Sequence, residues 1–452
     1  MMFCARSGLQ LGLAIGVVAS LGGRGARAEG DAPRKAAPRE VTLAGAIEIA
    51  LTGNPQLAID AEGIVAADAR TRSDAALRLP LLAVKGNVLL WDRAIEADLG
   101  PDMKVTIRDR ITGTVDLSVS QPVSGAFAIG TLVERDRALT EAGRAQRDGR
   151  RVEIAYRTAE AYLDALQSRT LGQVAAGTLQ QLDADLQHAK LLVAAGTLQK
   201  VDVLRLEVER ARVEQQGLQA ETAGLGARRR LALLLGLPDG SELALVDIDT
   251  APPALAWSED DAVARARRDR AEARSAEATS RAAELGIAVA RSGYYPAVSV
   301  VGVYSHAVNA GLLGNADSEY LGVSLDWNLW DWGKRSADVD ASRAASRQAR
   351  LAQVAQGEQI AVDTRARWQA ARLARATLEV TDRGLAAAVE AQRLQSVRFA
   401  QGAATTVELL DTETALATAQ SQAVVARYQY LVAWMALSRE LGSLPVHPEA
   451  QR

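Results

Sequence analysis

Along the stretch YLGVSLDWNLWDWG, which begins at Tyr320, apolar and polar residues alternate. Leu321, Val323, Leu325, Trp327 and Leu329 fall on one side of an extended chain, and Gly322, Ser324, Asp326 and Asn328 on the other, because successive side chains of a strand point to opposite faces. The same period of two carries Val115, Leu117 and Val119 against Thr114, Asp116, Ser118 and Ser120, and it starts again at Leu82 and at Val298. The pattern predicts four strands, near 82–91, 112–122, 297–306 and 320–330. Each has about the 9–11 residues that a tilted membrane strand needs. Elsewhere the spacing is helical. Residues 42–79 and 258–291 read as helices stopped by Pro80 and Pro296, since proline cannot continue a helix and disfavours it one residue earlier. Longer helical stretches cover 126–195 and 334–401, and 199–235 and 405–441 run back along them. About 70 residues at 1.5 Å each span roughly 100 Å, too long for a globule, so packing along a supercoil must stabilise these helices.

The pattern occurs twice. AAGTLQKVDVLRLEVERARVEQQ from Ala194 lies over AQGAATTVELLDTETALATAQSQ from Ala400, with Gly196 over Gly402, Asp202 over Glu408 and Glu207 over Glu413. Upstream, Ala46, Pro80 and Gly86 lie over Ala262, Pro296 and Gly302. An internal repeat of about 200 residues is a duplication, not a short-period solenoid. The chain therefore divides into a leader (1–28), a first repeat (29–240), a proline-bearing link (241–257) and a second repeat (258–452). Gly196 and Gly402 are the glycines with which a long helix commonly ends.

The leader is expected to be a secretory signal peptide. Arg6 precedes an apolar run from Leu11 to Leu21, and Ala26-Arg27-Ala28 forms a small-x-small cleavage site before Glu29. The one cysteine, Cys4, leaves with it, so the mature chain has no disulfide chemistry. The leader carries three arginines and no acid, so the net charge falls from −3 to −6 on its removal. An acidic exported chain is a poor partner for nucleic acid. No apolar run is long enough for a transmembrane helix. His188, His306 and His447 have no metal-ligand spacing, and no phosphate loop or nucleophile motif is present. The expectation is a protein that is not an enzyme, with no metal site and no cofactor.

Two hairpins could be half-buried on a soluble core. Tyr294, Tyr295, Trp327, Trp330 and Trp332, however, gather at strand ends, as an interfacial aromatic belt does. Four strands cannot close a barrel, and an open edge cannot sit in lipid. Three copies would supply 12 strands.

A signal peptide, a duplicated helix–hairpin–long helix–return helix, and tips reading AAGTLQKVDVL and AQGAATTVELLD closely resemble the TolC-type outer membrane efflux proteins. The resemblance covers essentially the whole mature chain. It implies a mainly α fold with a small β part, in which three chains build a 12-stranded outer membrane β-barrel continued by a periplasmic α-barrel. It also implies a homotrimer in outer membrane lipid, acting as the passive exit duct of a tripartite efflux pump or type I secretion system. The partners implied are a periplasmic adaptor and an inner-membrane pump of the RND or ABC type. Gly196, Thr197 and Leu198, with Gly402, Ala403 and Thr405, would be the tips that meet the adaptor. Glu408 and Asp411, with Asp202 in the first tip, would line the closed constriction. Glu408 also completes a Thr405-x-x-Glu408 capping box, and the two roles can coexist. One departure concerns the latch. Ala404 stands where the family has an arginine that pairs with the aspartate matching Asp202, leaving Lys200 or Arg205 as substitutes. The alternative reading is a periplasmic coiled-coil adaptor or scaffold without a membrane barrel.

Overall fold

The computed structural model describes residues 39–98, 100, 104–238, 241–248, 252–309, 316–401 and 403–444. The expected signal peptide, Cys4, His447 and Gly402 lie outside them. The chain opens with β1 (Arg39–Val41), α1 (Leu43–Gly53) and α2 (Pro55–Ala76). It runs out along β2 (Leu81–Leu90), through a small hairpin of β3 (Ile95–Asp98) and β4 (Lys104–Arg108), and back along β5 (Ile111–Pro122). Helix α3 (Gly125–Ala194) then leads to the first tip and α4 (Lys200–Leu234) returns from it, with β6 (Leu243–Leu245) in the link. The second repeat supplies α5 (Glu259–Asp269), α6 (Ala271–Ser292), β7 (Ala297–Val308), β8 (Asp317–Asp326), α7 (Lys334–Ala400) and α8 (Thr406–Glu440).

Besides the short strands β1, β3, β4 and β6, which the sequence expectation lacks, three features differ from it. The helix expected over 42–79 is two helices. Pro55 forces Asn54 out of the helix, and the Asn54 side chain, at φ −75° and ψ 121°, caps α2 by accepting from the Gln56 amide. The helix expected over 258–291 likewise breaks at Arg270, at φ −66° and ψ 137°, with no proline involved. There the cause is tertiary. Gly442, in the left-handed region at φ +71°, approaches so closely that a Cβ would sit 2.9 Å from the Asp269 carbonyl oxygen. In the first repeat a Cβ on Gly236, at φ +69°, would likewise sit 2.9 Å from the Gly53 carbonyl oxygen. The fourth strand stops at Asp326 instead of 330. Beyond it Trp332 and Gly333 both have positive φ, and Asp331 accepts from the amides of Gly333 and Arg335 to start α7.

β2, β5, β7 and β8 form one antiparallel sheet in that order. Its register sets Val84 beside Leu117, Leu117 beside Tyr304, and Val300 beside Val323. One face is therefore mainly apolar, with Glu319 beside Tyr304 and Asp317 beside His306 as its charged groups near one end. The other holds Asn87, Thr114, Asp116 and Ser305, with Thr114 donating to Asn87 at 3.0 Å and Ser305 donating to Asp116. Short strands β1 and β6 pair in parallel and strap the middle of the molecule, where the Tyr162 hydroxyl lies 2.9 Å from the Val41 carbonyl and 2.7 Å from that of Val246. The main core forms there around α3, and Ala155, Ala159, Ala161 and Ala165 are almost fully buried. Small side chains let neighbouring helices approach closely, which is how an alanine-rich sequence builds a dense interior.

Candidate functional site

The candidate site is the end of the long hairpins remote from the sheet. At the first tip α3 closes on Gly196, at φ +72°. The Gly196 amide donates to the Val193 carbonyl and that of Thr197 to Leu192, both at 3.0 Å, a turn that satisfies the last helical carbonyls. The Thr197 hydroxyl adds a bond to Leu192, and Leu198 packs onto a small core of Leu182, Leu186, Val203 and Leu206. Asp202 lies in the first turn of α4, half-buried, 3.5 Å from Arg205. Of the two cations considered as latch substitutes, Arg205 is thus bound to Asp202 within one helix.

At the second tip the Ala403 amide donates to the Arg398 carbonyl at 2.8 Å. Thr405 caps α8. Its hydroxyl accepts from the Glu408 amide at 3.3 Å, and the Glu408 carboxylate accepts from the Thr405 amide at 2.9 Å. The capping box read from the sequence is present. The Thr405 N–H, and behind it the positive charge of Arg398, hold the Glu408 carboxyl below its usual range, so it is an anion at neutral pH. Asp411 is exposed one turn on. Leu410 packs onto the Leu182–Leu206 cluster of the other hairpin. Asp202 and the Glu408–Asp411 pair therefore share one end of the molecule, on two hairpins that touch through leucine.

Sequence reasoning passed over the acid nearest the joint. Glu413, one turn above Leu409 and Leu410, is only 7% exposed, and neither carboxylate oxygen has a hydrogen-bond partner among the described residues. Its counterpart Glu207 is exposed and lies 3.7 Å from Lys190. The available signal was periodic: Thr406, Leu409, Glu413 and Leu416 fall on the stripe that faces a partner helix. Glu413 borders a cleft of about 930 Å³ between α3, α7 and α8. Among the described residues no three His, Cys, Asp or Glu side chains gather to hold a metal ion, and no helix is long and apolar enough to cross a membrane.

Residues 262–443, most of the second repeat, match the family described as outer membrane efflux protein. No curated protein matches the chain by sequence. Among solved structures, the chain is similar to the outer-membrane channel OprN, at 21% identity and a TM-score of 0.76 over 89% of this chain and 90% of that one. It is also similar to the outer membrane protein VceC of Vibrio cholerae, at 18% and 0.73 over 89% and 96%. A third is the open state of the MtrE outer membrane channel of Neisseria gonorrhoeae, at 18% and 0.73 over 89% of each chain. The resemblance read from the residues is borne out, and the fold of the chain is that of these channels.

Proposed function

We propose that this chain, with its second repeat matching the outer membrane efflux family and its whole fold that of outer membrane channels, is one protomer of a homotrimeric exit duct. The observation that carries the reading is the sheet. Leu321, at 80% exposed, and Val88, at 76%, stand on its apolar face, and β2 and β8 have no strand partner on their outer sides among the described residues. In water that face and those edges are an aggregation hazard. In a bilayer the apolar face is at home, but the open edges are not. Both conditions are met if β8 of one chain pairs with β2 of the next, three times around, to close 12 strands with the Asn87–Thr114–Asp116 face inward. Tyr295 and Trp330, three-quarters exposed just outside the strands, suit the lipid–water interface.

In this reading α3, α4, α7 and α8 of three chains continue the barrel across the periplasm. Gly196–Leu198 and Ala403–Thr405 meet a periplasmic adaptor that links the duct to an inner-membrane pump of the RND or ABC type. The duct itself is passive. Threefold symmetry brings six carboxylates of Glu408 and Asp411, with three of Asp202, to the narrow end, where a ring of anions favours cations. Purified protein in planar bilayers is expected to conduct with cation preference. The double variant Glu408→Gln, Asp411→Asn is expected to move the reversal potential in a salt gradient toward zero. An unchanged reversal potential removes the two acids from the constriction, and no conductance at all removes the duct.

A further inference from the structure

The α7–α8 hairpin lies against the α3–α4 hairpin chiefly through α8 on α3, and near the tips that joint contains Glu413 with two buried oxygens that have no hydrogen-bond partner among the described residues. Gln181 of α3 lines the same cleft as Glu413, and Asp185, one turn on and close enough for its charge to act on Glu413, already accepts the Gln181 amide at 3.3 and 3.4 Å. The surrounding charges are spoken for or distant in role. On α3, Asp183 pairs with Arg210 of α4 at 2.6 Å. On α4, Asp202 holds Arg205, Glu207 holds Lys190, and Arg210 also reaches Glu214. From α7 the cleft receives Asp382, and from α8 itself Arg427, almost four turns beyond Glu413. None of these cations forms an ion pair with Glu413. An isolated carboxylate in such a place is costly, and two carboxylates facing one another cannot both ionise cheaply. A single proton resolves both problems, because a carboxyl group donates where a carboxylate only accepts.

We propose that Glu413 and Asp185 share one proton, and that its loss loosens α8 from α3 beside the tips, making a pH-operated joint between the two hairpins. The proposal rests on the duct reading for its consequence, a wider periplasmic end, but the joint itself does not. Burial pushes the Glu413 carboxyl from 4.5 up to about 8, the charge of Asp185 pushes the same way, and the Gln181 amide opposes them. A carboxyl raised on folding stabilises fully below its unfolded value. That contribution falls as pH climbs from about 4.5 and is gone above about 8. The joint is therefore closed in mild acid and opens in mild alkali. It belongs to one repeat only, since exposed Glu207 pairs with Lys190.

The test places spin labels at Ala184→Cys on α3 and Ala415→Cys on α8 of the full assembly in lipid nanodiscs. The distance distribution is expected to lengthen and broaden between pH 6 and pH 9, with a midpoint near 8. Glu413→Gln is expected to keep the pH 6 distribution throughout. Asp185→Asn, which leaves a neutral partner, is expected to move the midpoint down by about a unit or more. Distances constant over this range in the parent, or an unaltered transition in Glu413→Gln, overturn the proposal. So does a change that follows added Mg²⁺ at pH 7 and ignores pH, which would make the pair a cation site. A distance transition in a protein that conducts no ions keeps the joint and discards the duct.

Discussion

At the start of α8, Thr405 and Glu408 each satisfy a backbone N–H of the other, so one side chain both anchors the helix and presents a charge. Thr405→Ala removes the hydroxyl acceptor and is expected to cost about 1 kcal/mol locally. Hydrogen exchange read by mass spectrometry should then show the first turn of α8 exchanging about fivefold faster. Glu408 and Glu413, less than two turns apart, respond to pH with opposite sign. The Glu408 carboxyl is lowered by its bond from Thr405, so its contribution is full above 4.5 and disappears as pH falls through the lowered value. Glu413 contributes in acid and stops contributing in alkali. The same exchange experiment across pH 3–9 should show the cap fraying at the acid end and the α3–α8 joint at the alkaline end. The capping box was legible in the sequence because its two members are three residues apart. The Glu413–Asp185 pair was not, because no local pattern reports which residue of α3 faces a given residue of α8.

Among the elements, the two helix breaks make a natural experiment in how repeats diverge. Asn54 and Arg270 occupy equivalent places, 216 residues apart. The first break is written in the local sequence by Pro55. The second is held by the approach of Gly442 and by a buried ion pair of Arg270 with Glu440, which are 9% and 1% exposed. Only the repeat offset, carried from Asn54 to Arg270, could have located it. Gly442→Ala puts a side chain in the left-handed region, worth roughly 1–2 kcal/mol, and adds a clash with the Asp269 carbonyl. Glu440→Ala removes one of the two carboxylates that hold the buried Arg270 guanidinium and leaves Glu272 at 3.2 Å, so it is expected to cost about 1.5–3 kcal/mol, the worth of a hydrogen bond to a charged group. Thermal loss of the helical circular dichroism signal checks both, each variant melting below the parent. Gly286→Ala, which meets nothing within 4 Å, should melt at or above the parent, since alanine suits a helix better than glycine. The membrane-length strands were legible as alternation. Their end at Asp326 was not, because Trp327 and Leu329 continue the period of two into a turn made by Asp331 and Gly333.

For the whole molecule, the sequence carried the architecture through its duplication and its two periods, while the assembly enters only through what one chain leaves unsatisfied. A four-stranded sheet with an exposed apolar face and two unpaired edges, joined to helices of 70 and 67 residues, has no evident way to be stable alone in water or in lipid. In the proposed duct, closure by threefold repetition would supply the missing strand partners. The most direct test is to express the chain with its leader, extract it from the outer membrane in detergent, and determine the mass and image of the particle. A trimer in the form of a long rod, with the detergent belt around one end only, is the expected result. A monomer or dimer found in the soluble fraction, with no detergent belt, would contradict the barrel and return the chain to the class of periplasmic coiled-coil adaptors.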